Sequence, residues 1–285
     1  MTESERLAAE GACGAAGTAT TFLFVPGSRP DRFDKALKAG ADIIVLDLED
    51  AVTEDDKDEA LASVTSWLSQ EGNIGAVRVN GAGHHDRFEA DLAALADVQG
   101  LAAIVVPMAA DVAAVARAHE VTGAPVVALV ETALGLLRAA DMAAAPGVVR
   151  LAFGHLDFAA DIGSDTGPEA MLLARSTLVV ASRAAGLAGP VDGVTTELDD
   201  PGVASEDAGR AACLGFTGKF CIHPRQIAAV SAAFAPSADE VAWARRVLHA
   251  AESGGAGAVR FDGHMVDAPV LNRAKSVLAR EGDRA

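Results

Sequence analysis

Eight short, almost continuously apolar segments recur along this chain, each followed by an alanine-rich stretch, and few architectures accept that pattern. They are TFLFVPG (21–27), DIIVLDLED (42–50), AVRVNGA (76–82), AAIVVPM (102–108), PVVALVET (125–132), VVRLAFG (148–154), PVDGV (190–194) and GKFCIHP (218–224). Strands that read apolar at every position are buried on both faces, as parallel strands covered by helices are. Most lie about 20–35 residues apart, enough for one crossover helix. Eight such units predict an α/β fold of the (β/α)8 TIM-barrel class rather than an open doubly wound sheet. No GxGxxG follows the first segment, so a dinucleotide site is not expected.

Helix signals fill the intervals. Residues 31–39 end at Gly40 and carry Asp34 and Lys38 as an i,i+4 pair; residues 111–119 precede Gly123; residues 205–214 end at Gly215. The expected layout is a flexible leader over 1–20, the barrel over 21–235 and a C-terminal helical arm over 236–285. Within the arm, a helix is expected over 238–252, with Val241, Ala244, Val247, Leu248 and Ala251 on one face. An extended hairpin over 259–270, turning at Asp262-Gly263, follows, with Phe261 and Met265 packing it. A last helix spans 271–280. Such an arm either caps its own barrel or lies on a neighbouring subunit.

Composition narrows the partners. Half the chain (51%) is hydrophobic but only 4% is aromatic, with no tyrosine, so the core is built from Ala, Val, Leu and Ile rather than from an aromatic binding surface. A net charge of −17 argues against nucleic acid and against an anionic membrane. Cys13, Cys213 and Cys221 are odd in number and lack CxxC spacing, so reduced thiols are expected rather than a disulfide frame or a zinc site. No apolar run reaches the ~18–20 residues of a membrane span, and MTESER lacks the cationic start of a secretion signal. The expected location is the cytoplasm.

In a barrel of this class the working residues sit at the C-terminal ends of the strands. Those ends carry Pro26, Gly27 and Arg29; Asp47, Glu49 and Asp50; Arg78 and Asn80; Pro107; Glu131; His155 and Asp157; and His223. Each has an ordinary structural reading. Asp157 could cap a helix, and Arg78 could be ion-paired with the acids of the second strand. His155 and His223 read as structural. Gathered at one rim, however, the carboxylates would repel one another and resist ionising. A hard divalent cation relieves that repulsion; magnesium typically takes one or two protein carboxylates and completes its octahedron with water and substrate.

FLFVPGSRPDRFDKALKAGADIIVLDLEDAV, then VRVN, ALVET, FGHLDF, IHPRQI and DGHMVDAPVLNRAKSVL, in this order, resemble the HpcH/HpaI aldolase–citrate lyase beta subunit family, nearest its citrate-lyase-beta-like CoA ester lyase branch. The resemblance covers residues 21 to 281, and LDLEDAV and MVDAPV are its specific blocks. It implies a (β/α)8 barrel assembled as a homotrimer or homohexamer. It also implies magnesium-dependent cleavage or formation of β-hydroxyacyl-CoA thioesters such as malyl-, citramalyl- or citryl-CoA. The partners it implies are an acyl-CoA thioester and a small keto acid of the glyoxylate, pyruvate or oxaloacetate class.

Carried over motif by motif, the resemblance implies Glu131 and Asp157 as metal ligands. It implies that Arg78 binds the carboxylate or carbonyl oxygen of the keto acid and that Glu49 and Asp50 order metal-bound water and Arg78. It further implies Asp267 of MVDAPV as general acid/base, delivered from a neighbouring subunit, with Pro26, Gly27 and Arg29 of the PGSRP loop near coenzyme A. One departure stands out: the family usually has an acid just before the metal aspartate, where this chain has Leu156, preceded by His155. Two other activities fit less well. A pyruvate-type aldolase or citrate lyase beta subunit would act on a non-CoA substrate or an acyl-carrier thioester. A non-catalytic acyl-CoA-binding barrel would have lost a ligand, Arg78 or Asp267, and all are present.

Overall fold

The computed structural model describes residues 14–254, 259–261 and 264–282. Each expected apolar segment forms a strand: β1 Thr21–Pro26, β2 Ile43–Asp47, β3 Gly75–Arg78, β4 Leu101–Val106, β5 Val126–Val130, β6 Val148–Phe153, β7 Val191–Asp192 and β8 Gly218–Cys221. They close into one parallel barrel in sequence order. The seam is the β1–β8 pairing, with Phe22 opposite Phe220.

Because side chains alternate along a strand, every second residue points into the lumen. The lumen is therefore filled by Phe22, Val45, Ala76, Ala103, Val127, Ala152, Val191 and Phe220. Alanines on β3, β4 and β6 make room for Phe22 and Phe220, whose rings meet edge to face at 5.7 Å. Large against small is how a barrel of this class packs solid instead of forming a pore.

Residues 14–18 are helical, and Ala16 and Ala19 are buried in the cluster that fills the barrel. The expectation of a loose leader through residue 20 is thus overturned from residue 14 onward; residues 1–13, with Cys13, lie outside the described residues. What holds the segment is Arg150 of β6, which is fully buried. Its guanidinium donates to Ala19 O (2.6 Å), Gly189 O (2.9 Å) and Thr217 Oγ1 (2.6 Å). Burial pushes Arg150 down to about 10, because its partners are dipoles rather than carboxylates.

Helix ends follow local chemistry, in two cases chemistry the sequence reading missed. Asp111 caps Val112–Thr122 through Ala113 N (2.9 Å), and Gly123 ends it in the left-handed region that glycine adopts without strain. The helix expected over 205–214 starts earlier, at Pro201, because Asp200 caps it through Gly202 N and Pro201 suits the first turn. Residues 31–39 form a 3-10 turn, Pro30–Arg32, and a short helix, Phe33–Leu37. Asp34 accepts a hydrogen bond from Trp67 Nε1 (2.8 Å) there. Cys213 and Cys221 are free thiols, as expected.

The chain divides into two compact units, Met1–Ser231 and Ala232–Ala285. The second has its own core, with Val241, Ala244, Val247, Val266, Ala274 and Val277 buried together. It comprises the helix Ala238–Gly254, an antiparallel pair of Val259–Phe261 with His264–Val266, and the helix Ala268–Gly282. The last helix starts earlier than expected because Asp267 caps it, accepting from Leu271 N through its carbonyl (3.0 Å). The turn at Asp262-Gly263 and the side chains of Phe261 and Met265 lie outside the described residues. No helix among the described residues is long and apolar enough to cross a membrane.

Candidate active site

The alternation that fills the lumen also decides which residues crown it. Carrying each inward register toward the strand's C-terminal end reaches Phe24 and Pro26 on β1, Asp47 on β2 and Arg78 on β3. It continues to Leu129 and Glu131 after β5, Gly154 after β6, Gly193 after β7, and Phe220 and Ile222 on and after β8. These residues line one cavity of about 430 Å³, joined by Asp50, Phe153, His155, Leu156, Asp157 and Val194. A working site at the C-terminal face is what the barrel geometry predicts.

Arg78 organises the acids. Its Nε and Nη2 donate to Asp47 Oδ1 (2.7 Å) and Oδ2 (2.6 Å), a two-pronged pair that suits the planar guanidinium. Its Nη1 lies 2.8 Å from Glu49 Oε2 and 3.4 Å from Asp50 Oδ2. The ring of Phe24 sits 4.9 Å beneath it. Burial works against the Arg78 charge, but the Asp47 hydrogen bonds and the surrounding acids outweigh it and hold its pKa above the usual range.

Asp47 is therefore the residue that the role assignment missed. The family blocks directed attention to Glu49 and Asp50, yet Asp47, only 2% exposed, makes the paired contact, and Asp50 is largely exposed. The alternation Ile43, Val45, Asp47 was the signal that could have found it. A second network fixes the acidic turn after β2. Buried Lys57 donates from Nζ to Leu48 O (2.9 Å), Glu49 O (3.1 Å) and Asn80 Oδ1 (2.7 Å), and Asn80 in turn donates to Asp91 (2.7 Å).

Glu131 is almost completely buried. Its Oε1 accepts from the backbone amide of Met108 (2.7 Å), a residue with positive φ (49°). Its Oε2 lies against Gly154, where any Cβ would overlap it, so glycine is required there. Burial, then the charges of Glu49 and Asp157, push the Glu131 carboxyl up to about 8 against the pull of the Met108 bond. Burial likewise pushes Glu49 up to about 7 despite Arg78, and its Oε2 is buried without a well-formed hydrogen bond. Asp157 lies in the first turn of His155–Ile162, facing the same cavity.

Five carboxylates stand against one guanidinium here, two of them held near or above neutrality, and a hard divalent cation is what relieves such repulsion. No group of three or more His, Cys, Asp or Glu among the described residues is placed to hold a metal ion by itself. Magnesium takes one or two protein carboxylates and fills its shell with water and substrate, whereas a structural zinc takes four protein ligands. The remaining expected residues are placed as follows. Pro26 lines the cavity, and Gly27 lets β1 approach β2, its N donating to Asp47 O at 2.7 Å. Arg29 is exposed and bound to Asp31 through two 2.9 Å contacts. His155, read as structural, lines the cavity with its Nδ1 buried and without a partner. Asp267 is exposed at the start of the last helix, in the second unit.

The family model for HpcH/HpaI aldolase/citrate lyase matches residues 20–224. A citrate lyase subunit beta-like protein of Mycobacterium tuberculosis is 39% identical over 270 residues, covering 92% of this chain and 95% of the relative. A (3S)-malyl-CoA thioesterase of Cereibacter sphaeroides is 36% identical over 275 residues, covering 91% and 93%. Among solved structures, CitE from M. tuberculosis in complex with magnesium, acetoacetate and coenzyme A superposes with a TM-score of 0.81. It shares 38% identity and covers 93% of this chain and 98% of its own. A citrate lyase beta subunit from the same organism, with oxaloacetate and magnesium, gives a TM-score of 0.69 at 34% identity, covering 78% and 100%.

Proposed function

The chain belongs to the HpcH/HpaI aldolase/citrate lyase family, and from that premise we propose that it is a magnesium-dependent carbon–carbon lyase acting on β-hydroxyacyl-CoA thioesters. The observation that carries this reading is the acid-rich crown around Arg78, in which burial raises Glu131 to about 8. Relatives recorded with magnesium, coenzyme A and small keto acids support the choice of cofactor and substrate.

Glu131 and Asp157 hold the metal. When bound, magnesium supplies a Lewis acid that eases loss of the substrate's hydroxyl proton. Arg78, fixed by Asp47 and Phe24, orients the carboxylate of the 2-oxo acid fragment. Cleavage removes the hydroxyl proton, breaks the C–C bond to release the 2-oxo acid, and leaves the electron pair on the acyl-CoA enolate. Glu49, held near neutrality by burial, takes the first proton. Asp267 from a neighbouring subunit returns one to the enolate carbon, so a 2-oxo acid and an acyl-CoA leave. Pro26 and Gly27 shape the rim where the thioester enters, and Arg29 meets the coenzyme's phosphates beyond it. The assembly is a homotrimer or homohexamer in the cytoplasm.

The test is incubation with malyl-, citramalyl- and citryl-CoA, with and without magnesium, assaying the 2-oxo acid and the free thiol separately. Release of 2-oxo acid without free thiol is the expected result. Free thiol without 2-oxo acid identifies thioester hydrolysis, the activity in one relative's name. If no thioester is cleaved and no 2-oxo acid condenses with an acyl-CoA, the lyase reading is wrong. The shared site has its own check. Mixed subunits carrying Asp267→Ala and Glu131→Gln are expected to recover part of the activity that neither homo-oligomer has. No recovery after demonstrated subunit exchange removes Asp267 from the neighbour's site.

A further inference from the structure

Strands β2 and β3 run in register as far as Asp47 opposite Arg78, and Leu48 N donates to Arg78 O (2.9 Å) just beyond. Past that bond the segment that carries Glu49 and Asp50 has no strand pairing to fix it. Asp47 supplies half of what is missing. Besides receiving Arg78, its carboxylate accepts from Glu49 N (3.0 Å) and Ala51 N (3.3 Å). That secures amides of the turn and leaves its carbonyls to be held by something else.

Lys57 holds them, buried at the start of the helix Lys57–Leu68. An ammonium has three protons to donate. Here the acceptors are Leu48 O (2.9 Å), Glu49 O (3.1 Å) and Asn80 Oδ1 (2.7 Å). Asn80 stands two residues beyond Arg78, so one nitrogen ties the turn after β2 to the end of β3. Asn80 is fixed in turn, its N and Nδ2 both donating to Oδ2 of buried Asp91 (2.8 and 2.7 Å). Burying an ammonium is costly unless hydrogen bonds offset it. These three all end on the two segments that carry Glu49 and Arg78. Neither Lys57, Asn80 nor Asp91 is among the described residues that line the cavity, so Lys57 acts from behind the site. Resting on the lyase reading above, we propose that Lys57 is a positioning residue for the reaction, holding Glu49 against Arg78 at 2.8 Å. Its action runs through the Glu49 peptide, whose N–H is held by Asp47 and whose carbonyl is held by Lys57. Removing the ammonium frees that carbonyl and the end of β3 together, and the spacing of base and guanidinium is lost.

Lys57→Met keeps the stem of the side chain and removes its three donors. Turnover is measured with the thioester that the unsubstituted protein cleaves, and magnesium-binding sites are counted by calorimetric titration. Because a displacement of about 1 Å costs on the order of 100-fold, kcat per magnesium-binding site is expected to fall at least about 30-fold. KM for the thioester and the magnesium Kd should each stay within about threefold, since Glu131 and Asp157 follow other strands. A role in the fold alone would lower the urea midpoint and the number of competent sites and leave kcat per site unchanged. A kcat per site within about threefold of the unsubstituted protein therefore overturns the inference while leaving the lyase reading intact. A raised KM with kcat retained overturns it as well, because it places Lys57 in substrate binding. If the unsubstituted protein releases no 2-oxo acid from any thioester, the lyase reading and this inference fall together. Should Lys57→Met not fold, Asn80→Ser decides, because it removes the Oδ1 acceptor and keeps the amide at position 80 for Asp91. It should lower kcat per site at least about tenfold, and a value within about threefold overturns the inference.

Discussion

Glu131→Gln is expected to lower turnover by at least ~10³-fold while making the metal-free protein more stable, the trade-off that a strained functional carboxyl produces. The reason is the environment of one carboxyl. Glu131 is 3% exposed, and burial, with Glu49 and Asp157 nearby, raises it to about 8. A carboxyl raised in the folded state favours folding while it stays protonated. It then costs stability progressively as pH rises from the unfolded value through the folded one. Glutamine keeps an oxygen for Met108 N and removes the charge. The gain should therefore be about 1–3 kcal/mol near pH 8 in the presence of a chelator, and should vanish near pH 4. Urea unfolding at the two pH values reads it.

The same raised pKa makes magnesium binding release a proton. Affinity should fall by up to about tenfold per pH unit below 8, which titration at several pH values would show. Normal turnover in Glu131→Gln would remove Glu131 from the metal site. A stability loss at pH 8 would instead mean that the charge is already compensated in the folded chain.

Arg78→Ala is expected to be the most damaging single change in the barrel. Asp47 is 2% exposed and has Arg78 as its paired cation; taking that partner away leaves a buried charge behind. Breaking a buried pair from one side costs about 3–5 kcal/mol, whereas removing both partners costs far less. Asp47→Ala/Arg78→Ala should thus recover a substantial part of the stability lost by Arg78→Ala, without recovering activity. Urea midpoints of the two single variants and the double variant give the coupling. Arg78→Lys should fall between, because a lone ammonium cannot reproduce the two-pronged contact. Strict additivity of the single losses would show that Arg78 and Asp47 do not act as a pair.

The barrel was legible in the chain because its evidence is repetitive: eight apolar runs and eight chances to see the period. Several site residues were legible for the same reason, since a carboxylate at the end of VVALV has no place in an apolar lumen unless something recruits it. Less visible were features that depend on one atom meeting another across the fold. Asp47 looked like one acid among three until the alternation along β2 turned it inward and Glu49 and Asp50 came to lie beyond the strand end. Lys57 reads as a surface lysine on an amphipathic helix, yet it is buried and donates to Asn80, 23 residues further on. The start of Pro201–Leu214 was missed because Asp200-Pro201 can be a turn or a cap, and only the Gly202 amide decides. His155 was set aside as structural because its Nδ1 environment is made by Gly193, a residue 38 positions later.

Arg150 has a consequence for how the chain comes to be assembled. Its three strongest acceptors belong to segments far apart in the sequence: Ala19 is 131 residues before it, and Gly189 and Thr217 are 39 and 67 after it. Loops of that length close slowly, and none of the three contacts can form early in synthesis. Residues 14–19 are synthesised long before Thr217, yet they cannot be secured before Thr217 and the neighbouring β8 exist to complete the ring. Residues 14–19, made early, are thus among the last parts of the barrel unit to acquire a fixed place.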